Sequence, residues 1–185
     1  ADALAATKYD REEWLGVAEE LMAQAQKLSG RDRHGAARLY LRAARIFHVE
    51  ARVDPQFEEC LRRVLALEPQ HEAANYLLEK AYGDQGRFDE MMILQERRAD
   101  GAASQEQKAA LWLRTGAMWL VRWQDKERAS YFYGRALEAA YRSGRPAHEV
   151  FGGHLAAFHL LREVLGARGE WEQLLAYADL GAQAQ

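Results

Sequence analysis

The sequence predicts an all-α fold, a right-handed α-solenoid of about four helical hairpins preceded by one further helix. Three observations lead to this prediction. Apolar residues recur at spacings of three and four, the period of a helix with one buried face. Similar hairpins recur at intervals of about 34 residues. All the prolines, Pro55, Pro69 and Pro146, fall at junctions between apolar stripes, where they interrupt no helix.

The stretch Glu72–Ala99 shows the repeating unit most clearly. Its first helix places Leu78 and Tyr82 on one side, a tight turn is expected at Asp84–Gly86, and a second helix restarts at Phe88. A hairpin this short cannot bury its apolar stripe alone, so it requires similar neighbours. We therefore expect Leu78, Tyr82 and Phe88 to pack against adjacent helices.

Segments on either side of this hairpin repeat it in register. Near the C-terminus GARGEWEQL echoes GDQGRFDEM, which pairs Gly86 with Gly169, Phe88 with Trp171 and Met91 with Leu174. The repeat positions predict that a set of aromatic side chains belongs to the core: Trp112, Trp119, Phe158 and Trp171. Trp123, beside an interhelix turn, is either a core residue or an exposed anchor for a partner.

The third hairpin carries the most complete copy, which reads Trp112-x2-Thr115-Gly116-x2-Trp119 and then Ala129-x3-Tyr133-x2-Ala136. This pattern resembles the W-x2-L-G-x2-Y and A-x3-F signature of the tetratricopeptide-repeat (TPR) family, with conservative changes at three places. Pro69 stands where that family often closes a repeat. The resemblance implies a solenoid whose first helices line a concave groove, and binding of peptides or helices in that groove.

The repeat spacing organises residues 1–185 as a single helical-repeat domain. Its predicted segments are an N-terminal helix at 10–29, repeat 1 at 34–69, repeat 2 at 70–101, repeat 3 at 104–143 and repeat 4 at 146–182. The N-terminal helix is either a packing helix or the second half of a repeat whose first half is absent. The final residues resemble no polar capping helix, so we expect a fragment of a longer repeat protein.

Capping residues predict where individual helices begin. Asp10 and Glu13 resemble a capping box, in which each residue bonds the backbone of the other. Asp54 is expected to be the N-cap of a helix that has Pro55 at its first position. Before it, the segment His34–Val53 is predicted to be one uninterrupted helix.

Composition restricts the classes of function. A net charge of −3 argues against a nucleic-acid surface, including RNA, because such domains are usually basic. No apolar run approaches the length of a transmembrane helix, so membrane insertion is not expected. The lone Cys60 excludes an internal disulfide and suits a reducing compartment, from which we expect a cytoplasmic protein.

The sequence holds no constellation that suggests catalysis, a metal or a cofactor, so a non-enzymatic protein is expected. His154 and His159 are five residues apart, which places them off a common helical face, and no H-E-x-x-H motif is present. Cys60 follows Glu58 and Glu59, and acidic neighbours raise the pKa of a thiol. We therefore expect no nucleophile at Cys60.

The TPR resemblance implies which residues line the groove, position by position. The candidates from the first helices of the four repeats are Arg42, Ile46, Tyr76, Lys80, Leu113, Arg114, His159 and Glu163. Small alanines at the second groove position leave room beside them. Such a mixed surface suits an extended or helical segment with some acidic character. The lysine and asparagine clamp of chaperone-binding family members is not reproduced here.

These observations favour a non-catalytic interaction module, a scaffold or adaptor whose partner is a protein or peptide. Two alternatives remain open on the sequence. In the first alternative, the chain is a regulatory or accessory arm of a larger enzyme or assembly whose catalytic domain lies elsewhere. In the second, it is a self-assembly module whose end faces stack between chains. Each side chain in the groove is also compatible with simply coating the surface.

Overall fold

The computed structural model describes residues 10–144 and 155–183, with side chains for 10–144 and 159–178. In this part of the chain the fold is all-helical and contains no strand, which confirms the predicted all-α class. The α-helices are α1 (Arg11–Leu28), α2 (Arg33–Ile46), α3 (Asp54–Leu67), α4 (Glu72–Asp84), α5 (Phe88–Asp100), α6 (Gln105–Arg122), α7 (Lys126–Arg142), α8 (Leu155–Arg168) and α9 (Trp171–Gln183). The predicted start of repeat 4 at Pro146 lies outside the described residues.

The chain divides into two compact units, Ala1–Arg98 and Ala99–Gln185. In the first unit α1 packs on α2, α2 packs on α3, and α3 packs on α4. In the second unit α6 packs on α7, and α7 also contacts α8 and α9. From α1 to α4 and from α6 to α9, neighbours along the chain are therefore neighbours in space, as short connections between helices favour.

Local capping chemistry sets several helix ends. The Asp10 carboxylate accepts from the Glu13 backbone N–H at 2.9 Å, and the Asp10 N–H donates to the Glu13 carboxylate at 2.7 Å, so the predicted capping box is confirmed. The predicted N-cap at Asp54 is wrong by one residue. Val53 is the extended cap of α3, and Asp54 is already helical, where its carboxylate still faces the positive end of the helix dipole.

The predicted uninterrupted helix His34–Val53 is interrupted by a π-helical turn. Helix α2 ends at Ile46 and continues as the wider turn Phe47–Ala51, which ends at Arg52 with a left-handed φ of 54°. The Val53 N–H reaches back to the Phe47 carbonyl at 2.8 Å, and the Arg11 side chain of α1 donates to the Ala51 carbonyl at 3.0 Å. These bonds satisfy backbone groups that the wider turn would otherwise leave open.

The core of the first unit consists of small and aromatic side chains on inward faces. The predicted burial of Leu78 and Tyr82 is confirmed, whereas Phe88 is only partly buried. Helix α2 buries a face of alanines around Tyr40, and its leucines lie at the edge of that face. The fully buried larger side chains of this unit are Phe47, Cys60, Leu61, Val64, Asn75, Leu78 and Met91.

The core of the second unit is built around two tryptophans of α6. Phe132 of α7 stacks on Trp112 with ring centroids 5.4 Å apart and on Trp119 at 6.3 Å. Both tryptophans are fully buried, as predicted. Trp123 is half-buried and tilts against Trp119 at 5.0 Å, so part of its ring belongs to the core.

The predicted core position of Trp171 is wrong, because 60% of this residue is exposed. Helix α9 instead buries Tyr177, which lies against Gly134 of α7. Six residues at about 100° each place Trp171 about 120° around the helix from Tyr177. Because the side of α9 that carries Tyr177 packs against α7, Trp171 and Leu175 lie on sides of the helix that face solvent. The side chain of Phe158 lies outside the described set.

The helices α6 and α7 approach closely at Gly116, so we expect no larger residue to fit at this position without strain. A Cβ atom at Gly116 would lie 2.7 Å from the Tyr133 ring and 3.1 Å from the Ala129 carbonyl oxygen. Because Tyr133 is buried, Gly116→Ala is expected to lower the free energy of unfolding by about 2 kcal/mol, measured by urea denaturation with far-UV circular dichroism.

Gly16 in α1 provides the matched control for this substitution. It is also a mid-helix glycine, but it is exposed and a Cβ there would meet nothing within 4 Å. Gly16→Ala is expected to raise the free energy of unfolding by about 0.5–1 kcal/mol, because alanine loses less conformational entropy on folding. Equal effects of the same sign at both positions would contradict the close approach at Gly116.

Candidate functional site

Helix α4 has an outward-facing stripe that differs from an ordinary solvated helix face. Ala73, Tyr76, Leu77 and Lys80 follow the i, i+3, i+4, i+7 spacing, so they share one side of the helix. Tyr76 is 59% exposed, Ala73 and Lys80 are exposed, and Leu77 is partly buried. The opposite side of the same helix, around Leu78, packs in the core. Helix α4 therefore presents apolar surface on two sides.

Lys80 is the charged end of this stripe. Its Nζ lies 2.6 Å from the Asp84 carboxylate one turn later, and about half of each side chain is exposed. Exposed pairs at this spacing contribute only about 0.3–0.5 kcal/mol, so a competing carboxylate can displace Asp84 at little cost. The ammonium group is available to an incoming acidic residue.

The two candidates on α2 also lie at the surface. Arg42 is exposed and Ile46 is partly buried. With Leu39, which is partly buried as well, they follow the i, i+3, i+7 spacing of one helix side. The structure thus places each predicted pair of the first unit, Arg42 with Ile46 and Tyr76 with Lys80, on a solvent-facing side of its own helix.

The four candidates of the second unit are divided between α6 and α8. Leu113 is partly buried and Arg114 is exposed on α6, whereas His159 and Glu163 are exposed on α8. Glu163 pairs with the Lys126 ammonium of α7 at 2.6 Å. Because that pair is exposed on both sides, it holds the carboxylate only weakly.

An ion-pair network that the sequence analysis missed links α3 to the turn between α4 and α5. Glu58 is 5% exposed, and both of its carboxylate oxygens accept from Arg87 at 2.8 Å. Gln85 donates to the same carboxylate at 3.1 Å. The Arg87 guanidinium also lies 4.5 Å from the centre of the Tyr82 ring. Hydrogen bonds to Glu90 and Glu58 raise the pKa of Arg87, so it stays charged.

This network positions the α4–α5 hairpin beside an open cavity, which we call the α3–α5 crevice. Its volume is about 580 Å³, and it is lined by Arg62, Leu65, Ala66, Pro69, Asn75, Leu78, Tyr82, Glu90, Ile93, Leu94, Arg97 and Arg98. All of these residues belong to the first unit. Since they come from three helices and the α3–α4 connection, no single helical stripe of the sequence marks them as a group.

The described residues bear on two kinds of reactive site, a metal cluster and a thiolate. Among the side chains of residues 10–144 and 159–178, no three of His, Cys, Asp or Glu are grouped as a metal ion would need. Cys60 is fully buried, and burial raises the pKa of its thiol to about 12, with Glu59 adding to the rise. At neutral pH the thiol is therefore protonated and shielded from substrates.

Two further findings bear on identity and environment. No helix within the described part of the chain has both the length and the apolar character needed to cross a membrane. Comparison with known proteins gives no family assignment, because no protein-family model matches the chain and no curated protein matches it. The functional argument consequently rests on the surfaces described above.

Proposed function

We propose that this chain is a non-catalytic interaction module that binds a peptide or helix of a partner protein along the outward side of its first helices. The observation that carries the proposal is the α4 stripe, in which Tyr76 is 59% exposed between Ala73 and Lys80. An exposed aromatic ring beside a small residue and a cation offers contact area, space and charge together. Aromatic side chains of this kind dominate the energetics of protein interfaces.

The proposed architecture is a TPR-like right-handed solenoid in which α2, α4, α6 and α8 are the first helices of successive hairpins. The in-register sequence copies support it, and so does the packing of consecutive helices from α1 to α4 and from α6 to α9. In this arrangement Arg42 and Ile46 continue the surface that Tyr76 and Lys80 begin. The other four candidates, Leu113, Arg114, His159 and Glu163, lie on α6 and α8 of the second unit.

The partner segment is expected to be amphipathic with some acidic residues. Within the first unit, Arg42 and Lys80 supply cations, while Ile46 and Tyr76 supply apolar contact. A carboxylate on the partner would replace the exposed Asp84 beside Lys80. The affinity of a short segment for such an open surface depends on a few anchor side chains. Removing Tyr76 together with Arg42 and Lys80 is therefore expected to lower the affinity most.

Selection from a displayed library of random peptides of about 12 residues tests this proposal without a known partner. Peptides selected on the wild-type chain are synthesised with a fluorophore, and their dissociation constants are measured by fluorescence anisotropy. For at least one selected peptide, the triple variant Arg42→Ala, Tyr76→Ala, Lys80→Ala is expected to weaken binding by about tenfold or more.

A matched triple variant separates this surface from general effects. Val17, Lys27 and Arg31 are exposed residues near α1, and their replacement by alanine removes one apolar side chain and two cations, as the test variant does. This control is expected to bind the peptides as the wild type does. If every selected peptide binds both triple variants equally well, the groove assignment is wrong.

A further inference from the structure

We propose that the α3–α5 crevice is a second docking site, which takes an acidic segment of a partner protein with aliphatic or aromatic side chains. This site lies on different helix faces from the Tyr76 stripe, so it goes beyond the function proposed above. Its volume of about 580 Å³ is within the usual range of protein ligand sites. The space is large enough for several side chains of a bound segment.

The floor of the crevice is apolar and partly unpartnered. Leu78 and Tyr82 of α4 lie beneath it, and Leu94 of α5 closes one side. Ile93 also lines the cavity and is 48% exposed, although it is a large aliphatic residue. Covering Ile93 and filling the cavity would remove apolar surface from water, which favours an aliphatic or aromatic side chain as occupant.

The rim of the crevice is positively charged. Three arginines line it, and the only carboxylate among the lining residues, Glu90, is bonded to Arg87 at 2.9 Å. Arg97 is exposed, and none of the ion pairs among the described residues involves it. Because Arg62 and Arg98 each have a carboxylate partner, Arg97 is the rim guanidinium whose charge is uncompensated among the described residues, on a chain whose net charge is −3.

The other two arginines are held in place without being neutralised closely. The Arg62 guanidinium makes only long contacts, at 3.4 Å to Glu59 and 3.5 Å to Glu58, because Arg87 already occupies both Glu58 oxygens. Arg98 lies 3.7 Å from Glu79. The Arg98 side chain is only 14% exposed, whereas that of Arg62 is 45% exposed, so a partner carboxylate could approach Arg62 at a shorter distance. Arginine is suited to such planar contacts with carboxylates.

Together these features determine the chemistry of the occupant. The floor requires apolar side chains, and the unpaired Arg97 together with the half-exposed Arg62 favours carboxylates on the occupant. A segment with both kinds of side chain matches the site, whereas a basic segment would bring like charges together. The geometry therefore favours acidic partners over neutral or basic ones through charge complementarity.

The peptide selection described above also tests this inference when the affinities of the selected peptides are measured on two further variants. Arg97→Glu reverses one rim charge, and Ala66→Trp fills the cavity from an exposed position on α3. A class of selected peptides rich in Asp or Glu with Leu, Ile or Phe is expected to lose about tenfold or more in affinity on both variants. The affinity of this class should also fall when salt is raised.

Controls keep the two surfaces distinguishable. Arg31→Glu makes the same charge change at an exposed site away from the crevice and is expected to change the affinity less than about twofold. Far-UV circular dichroism confirms that each variant remains helical. Peptides of the crevice class should bind the Arg42, Tyr76 and Lys80 triple variant with wild-type affinity. The two docking sites are therefore tested independently of each other.

Three outcomes would overturn the crevice assignment. One is that no selected peptide loses affinity on Arg97→Glu or Ala66→Trp. Another is that the peptides which lose affinity contain no excess of acidic residues. The third is that replacing every Asp and Glu of an affected peptide by Lys leaves its binding unchanged, since the rim arginines would then play no part.

Discussion

Replacing Trp119 by alanine is expected to lower the free energy of unfolding by about 4 kcal/mol, the largest effect that the structure predicts for a single residue. Its ring is fully buried between α6 and α7, where Phe132 and Trp123 contact it. The Arg128 guanidinium also lies 5.2 Å from its centre. Truncation removes these contacts and leaves a cavity that the surrounding helices cannot fill completely.

Trp171→Ala is the matched control, because it removes the same side chain from an exposed position in the same unit. We expect a change within about 0.5 kcal/mol, as is usual for surface substitutions. Urea denaturation followed by far-UV circular dichroism measures both variants without relying on tryptophan emission. Comparable losses at the two positions would show that Trp171 belongs to the core, as the repeat pattern alone predicts.

The second large effect is expected at the buried ion pair. Arg87→Met should lower the free energy of unfolding by about 3 kcal/mol, because it leaves the Glu58 carboxylate buried without its main partner. Gln85 and Arg62 compensate only in part, since their contacts with Glu58 are 3.1 and 3.5 Å long. The substitution also removes the cation that lies over the Tyr82 ring.

A double-mutant cycle isolates the interaction between Glu58 and Arg87. With Glu58→Gln as the second substitution, the coupling free energy is expected to be about 2 kcal/mol. Arg63→Met on α3 is the control, because Arg63 pairs with Glu59 at 2.8 Å but the two side chains are 57% and 40% exposed. The free energy of unfolding should fall by less than about 1 kcal/mol in Arg63→Met. A coupling free energy near zero would mean that water already solvates Glu58.

The sequence was sufficient to predict most helices and several of their ends, because the signals involved are local. A capping box needs only Asp10 and Glu13, and the turn after α4 needs only Gly86, whose φ is +70°. Burial of Leu78 and Tyr82 also followed from spacing alone. Six of the eight predicted groove residues are exposed, and Ile46 and Leu113 are partly buried, but exposure by itself does not test binding.

The features that the sequence did not predict depend on contacts between distant residues. Glu58 and Arg87 are separated by 29 positions, and nothing in their neighbourhoods marks them as a pair. The exposure of Trp171 is decided by Tyr177 and Gly134, on different helices. A glycine within the aromatic run of α7 was the available signal, since it indicates close approach of another side chain. The crevice likewise arises only when three helices come together.

The buried thiol of Cys60 has a practical consequence for following the first unit in solution. It is the only thiol of the chain, it is fully buried, and its pKa is raised to about 12 by burial. An aromatic disulfide reagent can therefore modify the native protein only during transient opening of the helices around α3. The labelling rate therefore reports how often these helices open. It allows variants of the first unit to be ranked by their opening free energy under native conditions, without denaturant.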